Sequence, residues 1–421
     1  MFFVLSLFFE APLLFVFFFL GAVSFENSKT VPKCHIMRQA SFSQKKPYLV
    51  KGVVASEPFI KDNHEIFFFT AQVLENGRIK KNVCGDILVK IKSAGGFHYA
   101  DELVLTGHLK PYFSYPPKSG YSLMMRLESP FFALRSSENK GRLLKRSALR
   151  QKASLRQVFR RYLSESAASI LGAMVLGERK GVSPLVYEHM KKTGTAHLLV
   201  ISGFHVGVMA FACILALKLA GIRREPRIFI VIFFLFFYCL LTGASVSTVR
   251  ATIMAVFLML GDFLKRRPDI YNSLALAAFT ILWACPGHFF NIGFQLSFAS
   301  VFSIVFIYPK IKTFLRIERC KIKILRFLSE GLAVSLSAWL GTMGLIAYYF
   351  KLFSFVAVAA NLFIVPLAAL ITLSGITLLF TGSFLPPLAY SIAPACEFLV
   401  RLLVEGCAFF YRLPLAYIRL S

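Results

Sequence analysis

The sequence predicts an α-helical polytopic membrane protein that carries a small all-β domain near its N-terminus. Three observations predict it. Only 16% of the 421 residues are charged, against 57% hydrophobic, and 46 are Phe, whereas a soluble domain carries about 25% charged residues. Apolar runs of bilayer-spanning length recur from residue 165 onward, and the mean hydropathy is +0.65. Residues 29–134 break that pattern with short, alternating runs. A soluble enzyme and a disordered chain are both excluded, the second because so much apolar surface demands burial.

Residues 1–28 read as a membrane anchor. The first 25 are almost wholly apolar, broken only by Glu10 and Pro12. Ala22-Val23-Ser24 resembles a signal-peptide cleavage site, but the basic segment such a peptide needs is missing, so a retained anchor is expected.

Residues 29–134 read as a small β-barrel. Ile87, Val89 and Ile91 alternate with Asp86, Leu88, Lys90 and Lys92, and similar runs occur at 48–55, 64–74, 102–109 and 121–128. Turn residues separate them, namely Asn76-Gly77, Gly95-Gly96 and Pro116-Pro117. Five short strands of this spacing suit an OB-like barrel. Cys34 and Cys84 are the two cysteines of the region. They form either a disulfide, if the region faces an oxidising compartment, or two free thiols.

Residues 135–164 read as a basic amphipathic linker helix. Ten Lys/Arg and one acid, Glu138, lie in 135–161. Leu144, Ala148, Leu155, Phe159 and Tyr162 make one apolar stripe. Such a helix lies on a membrane surface, and its charges equally suit a phosphate backbone. Arg150, Lys152, Arg156, Arg160 and Arg161 are the candidates for DNA-backbone contact.

Residues 165–421 read as a polytopic domain. A short apolar segment at 166–177 precedes longer ones near 196–221, 228–243, 249–264, 271–285, 292–308, 331–350, 353–380 and 386–411. Three loops are basic: Arg223, Arg224 and Arg227; Lys265, Arg266 and Arg267; and 310–326 with seven Lys/Arg. Each is two spans from the next, so all three fall on one side, read as cytoplasmic. That rule is one reading of the net charge of +27; an anionic partner, lipid or nucleic acid, is the other.

Polar residues interrupt these spans in three places. Two His, a Ser and three Gly lie in 194–207, including His197, Ser202, Gly203, His205 and Gly207. Polar groups in hydrocarbon face a cavity or another helix, Gly203 and Gly207 have GxxxG spacing for close helix approach, and Ser202-Gly203 suits a broken helix. A second segment, 242–252, ends in Ser/Thr and places Arg250 in the first turn of a span, with Ser247 or Thr248 as its cap. A helix N-terminus beside an Arg suits a phosphate, and snorkelling to outer headgroups is the plain alternative. Asp262, at the far end of that span, is read as a partner of Lys265-Arg266-Arg267. Third, Asn291 and Gln295 share a helix face, and Ser297, Ser300 and Ser303 recur at intervals of three, suited to interhelical hydrogen bonds or a polar lining. Asn361 and Pro366 predict another broken or kinked helix. No Walker-type loop and no metallohydrolase cluster occurs, so no catalytic residue, metal or cofactor is expected.

These residues resemble the ComEC family of bacterial DNA-uptake channels. The run from His197 to Gly207, HLLVISGFHVG, is similar to that family's HLLxISGxHxG signature. Arg250-Ala251-Thr252-Ile253-Met254, Gly293-Phe294-Gln295-Leu296-Ser297-Phe298 and Asn361-Leu362-Phe363-Ile364-Val365-Pro366 resemble its later signatures in the right order. The resemblance implies a multi-pass channel of the cytoplasmic (inner) membrane that takes up single-stranded DNA in natural transformation, with an extracytoplasmic OB-like domain. It implies a cytoplasmic motor, a DNA receptor, contact with membrane lipids and a possible homo-oligomer. The larger members carry a C-terminal metallo-β-lactamase-like domain that this sequence lacks, so either a separate nuclease is used or the other strand is handled otherwise. Gly344 stands where the family usually has Pro. His197, Ser202, Gly203, His205, Gly207, Arg250, Asn291, Gln295 and Asn361 are the candidates for the DNA pathway. The rival readings are a membrane hydrolase using Ser202 and His205, and a transporter of another anionic polymer or lipid.

Overall fold

A computed structural model describes residues 34–40, 47–61, 64–76, 79–92, 96–112, 122–127, 133–137, 143–265, 269–319, 321–414 and 416–419. The anchor expected over residues 1–28, Arg266 and Arg267 lie outside the described residues. The chain divides into two compact units after Leu149, with residues 280–291 grouped with the first.

The first unit is a β-barrel. The five predicted runs are strands β1 (Tyr48–Val54), β3 (His64–Asn76), β5 (Asp86–Lys92), β6 (Glu102–Tyr112) and β7 (Ser122–Leu127); three short strands were not foreseen, β2 (Phe59–Lys61), β4 (Ile79–Asn82) and β8 (Ala133–Ser137). The order is β1-β3-β5-β7-β6, and β6 pairs back to β1, closing the barrel. All neighbours are antiparallel except β5 and β7, which gives an OB-like, five-stranded Greek-key arrangement. Strict alternation explains the core: β1 buries every second residue, and Val50, Phe67, Phe69, Ile87, Val89, Ile91, Leu103, Leu105, Leu123 and Met125 fill the interior. At the β1 bulge Gly52 passes so close to Thr70 that any Cβ would overlap its carbonyl oxygen.

Cys34 and Cys84 are joined by a disulfide, so the free-thiol alternative is not realised. It fastens the turn before the short helix α1 (Ile36–Gln39) to the residues before β5. The bond spans 50 residues, which by the chain-entropy relation stabilises by about 4 kcal/mol. Cys34→Ser is therefore expected to lower the barrel's unfolding free energy by a few kcal/mol. Urea-dependent proteolysis of the purified protein measures it, and an unchanged midpoint would reject the bond's structural role.

The second unit is helical. The helices in chain order are α2 (Leu143–Tyr162), α3 (Glu165–Leu176), α4 (Pro184–Lys192), α5 (Gly203–Leu219), α6 (Arg224–Leu241), α7 (Val246–Phe263), α8 (Ile270–Ala284), α9 (Ile292–Phe314), α10 (Lys323–Phe350), α11 (Ala357–Phe384) and α12 (Pro386–Arg412), of which the second unit holds all but residues 143–149 of α2 and 280–284 of α8. Each of the nine predicted apolar segments coincides with one of these helices over most of its length. Four of them, α7, α9, α10 and α11, are long and apolar enough to cross a membrane; α3, α5 and α8 are shorter. Large apolar side chains point outward over this unit, among them Phe233 at 73% exposure and Phe363 and Phe380 at 60%. Water does not tolerate contiguous apolar surface on that scale, and lipid does.

Two expectations are corrected. Helix α11 runs through Pro366 to Phe384, so of the two alternatives, broken or kinked, the break is not realised. A proline removes one backbone hydrogen bond, which helices within a membrane bundle tolerate. The second half of α2 does not lie on a lipid surface as an isolated amphipathic helix. Phe159 is fully buried, Tyr162 meets Tyr390 edge-on at 5.0 Å, and Val158 and Tyr162 fill the space over Gly382 of α11. Phe159 and Tyr162 of the apolar stripe therefore pack on protein.

The ends of the unit sort by side. Arg224 pairs with Asp262 at 2.6 Å, joining the start of α6 to the end of α7. The sequence reads Asp262 as a partner of Lys265-Arg266-Arg267; among the described residues the cation that meets it is Arg224 of the neighbouring helix. At the other end Ser247 and Ser297 hydrogen-bond at 3.1 Å, so α7 and α9 begin side by side and run parallel. The described residues of the three basic loops consequently share one end of this unit. A short antiparallel pair, β9 (Leu352–Ser354) with β10 (Tyr417–Arg419), ties the C-terminal strand to the junction of α10 and α11. That junction lies opposite the basic loops, because α10 starts just after the third of them.

Candidate functional site

The break predicted around Ser202 is present. Ala196–Leu199 form one 3-10 turn, Val200 and Ser202 are extended, and α5 starts only at Gly203. Its length of 17 residues gives about 25 Å, short of the roughly 30 Å of bilayer hydrocarbon. Ser202 and His205 close the first turn as a reciprocal cap. The Ser202 amide donates to His205 Nδ1 at 3.3 Å, and the Ser202 hydroxyl lies 3.1 Å from the same nitrogen. An Nδ1 that accepts from an amide leaves the ring proton on Nε2. That Nε2 is buried and has no partner.

Arg250 extends from the first turn of α7 across to α5. Its Nη2 lies 3.2 Å from where a Cβ on Gly203 would be, and Ala251 Cβ lies 3.7 Å from that point. Gly203 thus makes the close helix contact that its spacing predicts. Gly207 does not, since nothing stands within 4 Å of its missing Cβ. Arg250 is 4% exposed. Its Nη1 donates to Met254 Sδ at 3.7 Å, its guanidinium stands 5.6 Å over the Phe298 ring of α9, and its Nε has no partner. No carboxylate pairs with it among the described residues.

The other sequence candidates divide. Asn361 sits one turn into α11 with its Oδ1 buried and unpartnered. Gly194, at the approach to α5, abuts Ala357 at the start of α11, 2.6 Å from its Cβ position, so α11 begins at the same end as α5. Gln295 is committed elsewhere, accepting from Tyr349 at 2.8 Å. Asn291 ends a 3-10 turn before α9. His197 Nδ1 lies 3.1 Å from the Gly194 carbonyl. On α2, Arg150, Arg160 and Arg161 are exposed, Lys152 is buried, and Arg156 is paired with Glu178 at 2.7 Å, so the basic face is smaller than the sequence implies.

Four helices, α5, α7, α9 and α11, therefore begin at one end of the unit. Their aligned backbone dipoles make that end positive, and Arg250 adds a full charge. The cap of α7 is Ser245, whose hydroxyl accepts from the Thr248 amide at 3.3 Å, and not Ser247 or Thr248. Sequence reasoning also missed Met254 and Phe298, the two groups that seat the guanidinium. The spacing of Arg250 and Met254, four apart on one helix, was a legible signal; the Phe298 shelf was not, because it depends on how α9 packs.

A family model described as "Competence protein" matches residues 174–421. ComE operon protein 3 of Bacillus subtilis is 32% identical over 216 residues, covering 51% of this chain and 26% of that protein. Recombination protein 2 of Haemophilus influenzae is 28% identical over 155 residues, covering 35% and 20%. An uncharacterized protein of Aquifex aeolicus is 31% identical over 238 residues, covering 55% and 52%. The chain thus spans about a quarter or less of the length of the first two relatives. No solved structure matches.

Proposed function

The chain belongs to the competence-protein family, and we propose that it forms the passage by which single-stranded DNA is taken up across the cytoplasmic membrane in natural transformation. One observation carries this reading. A buried guanidinium, Arg250, stands among membrane helices with no carboxylate beside it among the described residues. Such a charge is expensive in a bilayer and marks an ion or substrate pathway. A polyanion moving past supplies the missing partner. The outward-facing end, four helix N-termini plus Arg250, attracts phosphate, and the opposite end carries the basic loops of a cytoplasmic face.

The disulfide supports an extracytoplasmic position for the barrel, since such bonds persist in oxidising compartments. Barrel and basic helix then hold the strand by its backbone without sequence preference. On this reading a cytoplasmic motor pulls the strand and a receptor delivers it. Deleting the gene in a transformable host and following labelled DNA into the cytoplasm tests this reading; undiminished entry would sink it.

Topology gives a separate expectation. Cysteines placed in loops 222–227 and 310–326 should resist a membrane-impermeant thiol reagent in intact cells, and one at Ala244 should react. Because β10 is tied to the α10–α11 junction, alkaline phosphatase fused after Ser421 should be active. An inactive enzyme at normal fusion levels would reverse the orientation.

One contact favours a second reading. Ser202 Oγ and His205 Nδ1 stand at 3.1 Å, as in a nucleophile–base pair. Both belong to one helical turn, and His205 Nε2 has no carboxylate to orient it among the described residues. Capping accounts for the contact. Ser202→Ala separates the two: a lost cap costs about 1 kcal/mol of stability, and a lost nucleophile abolishes activity.

A further inference from the structure

We propose that the first turn of α5, with His205 and Arg250, is a phosphodiester-binding site that holds one phosphate at a time. The site is distinct from the start of α7, which carries Arg250 in sequence. The side chain leaves its own helix and ends against the neighbouring one, 3.2 Å from the missing Cβ of Gly203. The reciprocal cap occupies the Ser202 and His205 amides, which leaves the amides of Gly203 and Phe204 as the open donors of that turn. Gly203 carries no side chain, so both the backbone and the guanidinium can reach a common point.

Both side chains present an unsatisfied donor. Among the described residues, the Nε2–H of fully buried His205 and the Nε–H of Arg250, 4% exposed, have no acceptor. A water would meet these donors but leave the charge uncompensated. A carboxylate side chain would meet both, and none is there among the described residues. A single-charged phosphodiester, with two non-bridging oxygens, matches one guanidinium and the positive end of a 17-residue helix. Phe298 and Met254 also meet the guanidinium, and neither is an anion that would take the place of a phosphate. Two sources share this chemistry: the backbone of a transported strand and the headgroup of a membrane phospholipid. The inference rests on the proposed passage only for the strand as source.

The test uses the full-length protein in zwitterionic nanodiscs and a fluorescent abasic deoxyribose-phosphate oligomer, which presents phosphates and no bases. Arg250→Gln should weaken binding about ten- to a hundred-fold and reduce the salt slope by about 0.7. Arg250→Lys should restore most of the slope with weaker affinity, because it keeps the charge and loses the planar fork. His205→Gln should keep partial binding, since Gln retains a donor. Lys321→Gln, in a basic loop at the other end, serves as the control and should change little. Mass spectrometry of co-purified lipid forms the second arm. Anionic phospholipid retained by the native protein and lost in Arg250→Gln, with oligomer binding unchanged, assigns the site to a headgroup. Unchanged oligomer binding and unchanged lipid in a folded Arg250→Gln protein would overturn the proposal. DNA entry in the gene-deleted host tests the passage separately, so either reading can fail while the other stands.

Discussion

Gly203→Leu is expected to reduce DNA uptake to background while the protein remains in the membrane at native amounts. The Cβ alone would stand 3.2 Å from Arg250 Nη2 and 3.7 Å from Ala251 Cβ, and three further carbons must displace the guanidinium. Leucine is favourable in lipid, so insertion itself is not impaired. Overpacking of this kind costs about 1–3 kcal/mol, which a large helical unit tolerates. What it does not tolerate is loss of the space that Arg250 and the α5 amides share. Gly203→Ala should be milder, because the guanidinium is the end of a flexible side chain and yields by a few tenths of an ångström. Uptake of labelled DNA, normalised to membrane protein by immunoblot, decides the matter. Full uptake by Gly203→Leu would remove this segment from the pathway.

Gly341→Val is expected to abolish accumulation of folded protein. Any Cβ at 341 would overlap both Oγ and Cβ of Ser303 on α9 and would stand 3.3 Å from the Ala299 carbonyl oxygen. Ser303 Cβ is fixed to the backbone, so no rotamer relieves the clash, and α9 and α10 must separate. Close approach through small residues is what holds helices together in lipid, where the hydrophobic effect contributes nothing between them. The pairing predicts its own rescue. Ser303→Gly removes both clashing atoms, so the double variant Ser303→Gly/Gly341→Ala should accumulate where Gly341→Ala alone does not. Size-exclusion profiles in detergent measure this, and a normal profile for Gly341→Val would show that the two helices are not packed here.

The parts legible in the sequence were those set by local rules. Alternation gave five barrel strands within a few residues because one face of each is buried, and a slip of one residue would turn Val50 or Ile87 outward. The short strands β2, β4 and β8 carry too few residues for a period to register. Closure of β6 on β1 and the parallel pairing of β5 with β7 are non-local, so no window of sequence contains them. In the site, the cost of polar groups in a span singled out Ser202, His205, Arg250 and Asn361. Their grouping was not legible. Arg250 was read against its own helix, and only the crossing of α5 and α7 carries it to Gly203. Gly207 misled for the complementary reason: GxxxG spacing names a helix face and says nothing of whether a neighbour occupies it. Lys152 and Arg156 misled likewise, since a charge count cannot tell an exposed cation from one buried or paired with Glu178.

The break before Gly203 has an electrical consequence. Where polar residues carry water down to the start of α5, the conducting phase reaches below the membrane surface. The membrane voltage then falls over the remaining length of the helix rather than over the whole hydrocarbon. Moving one elementary charge through that drop is worth about 2.3 kcal/mol per 100 mV. On the proposed passage, with the cell interior negative, each phosphate of an incoming strand would climb this gradient. A guanidinium at the head of the drop would hold a phosphate there by attraction. It also makes that position the point at which an unpulled strand comes to rest.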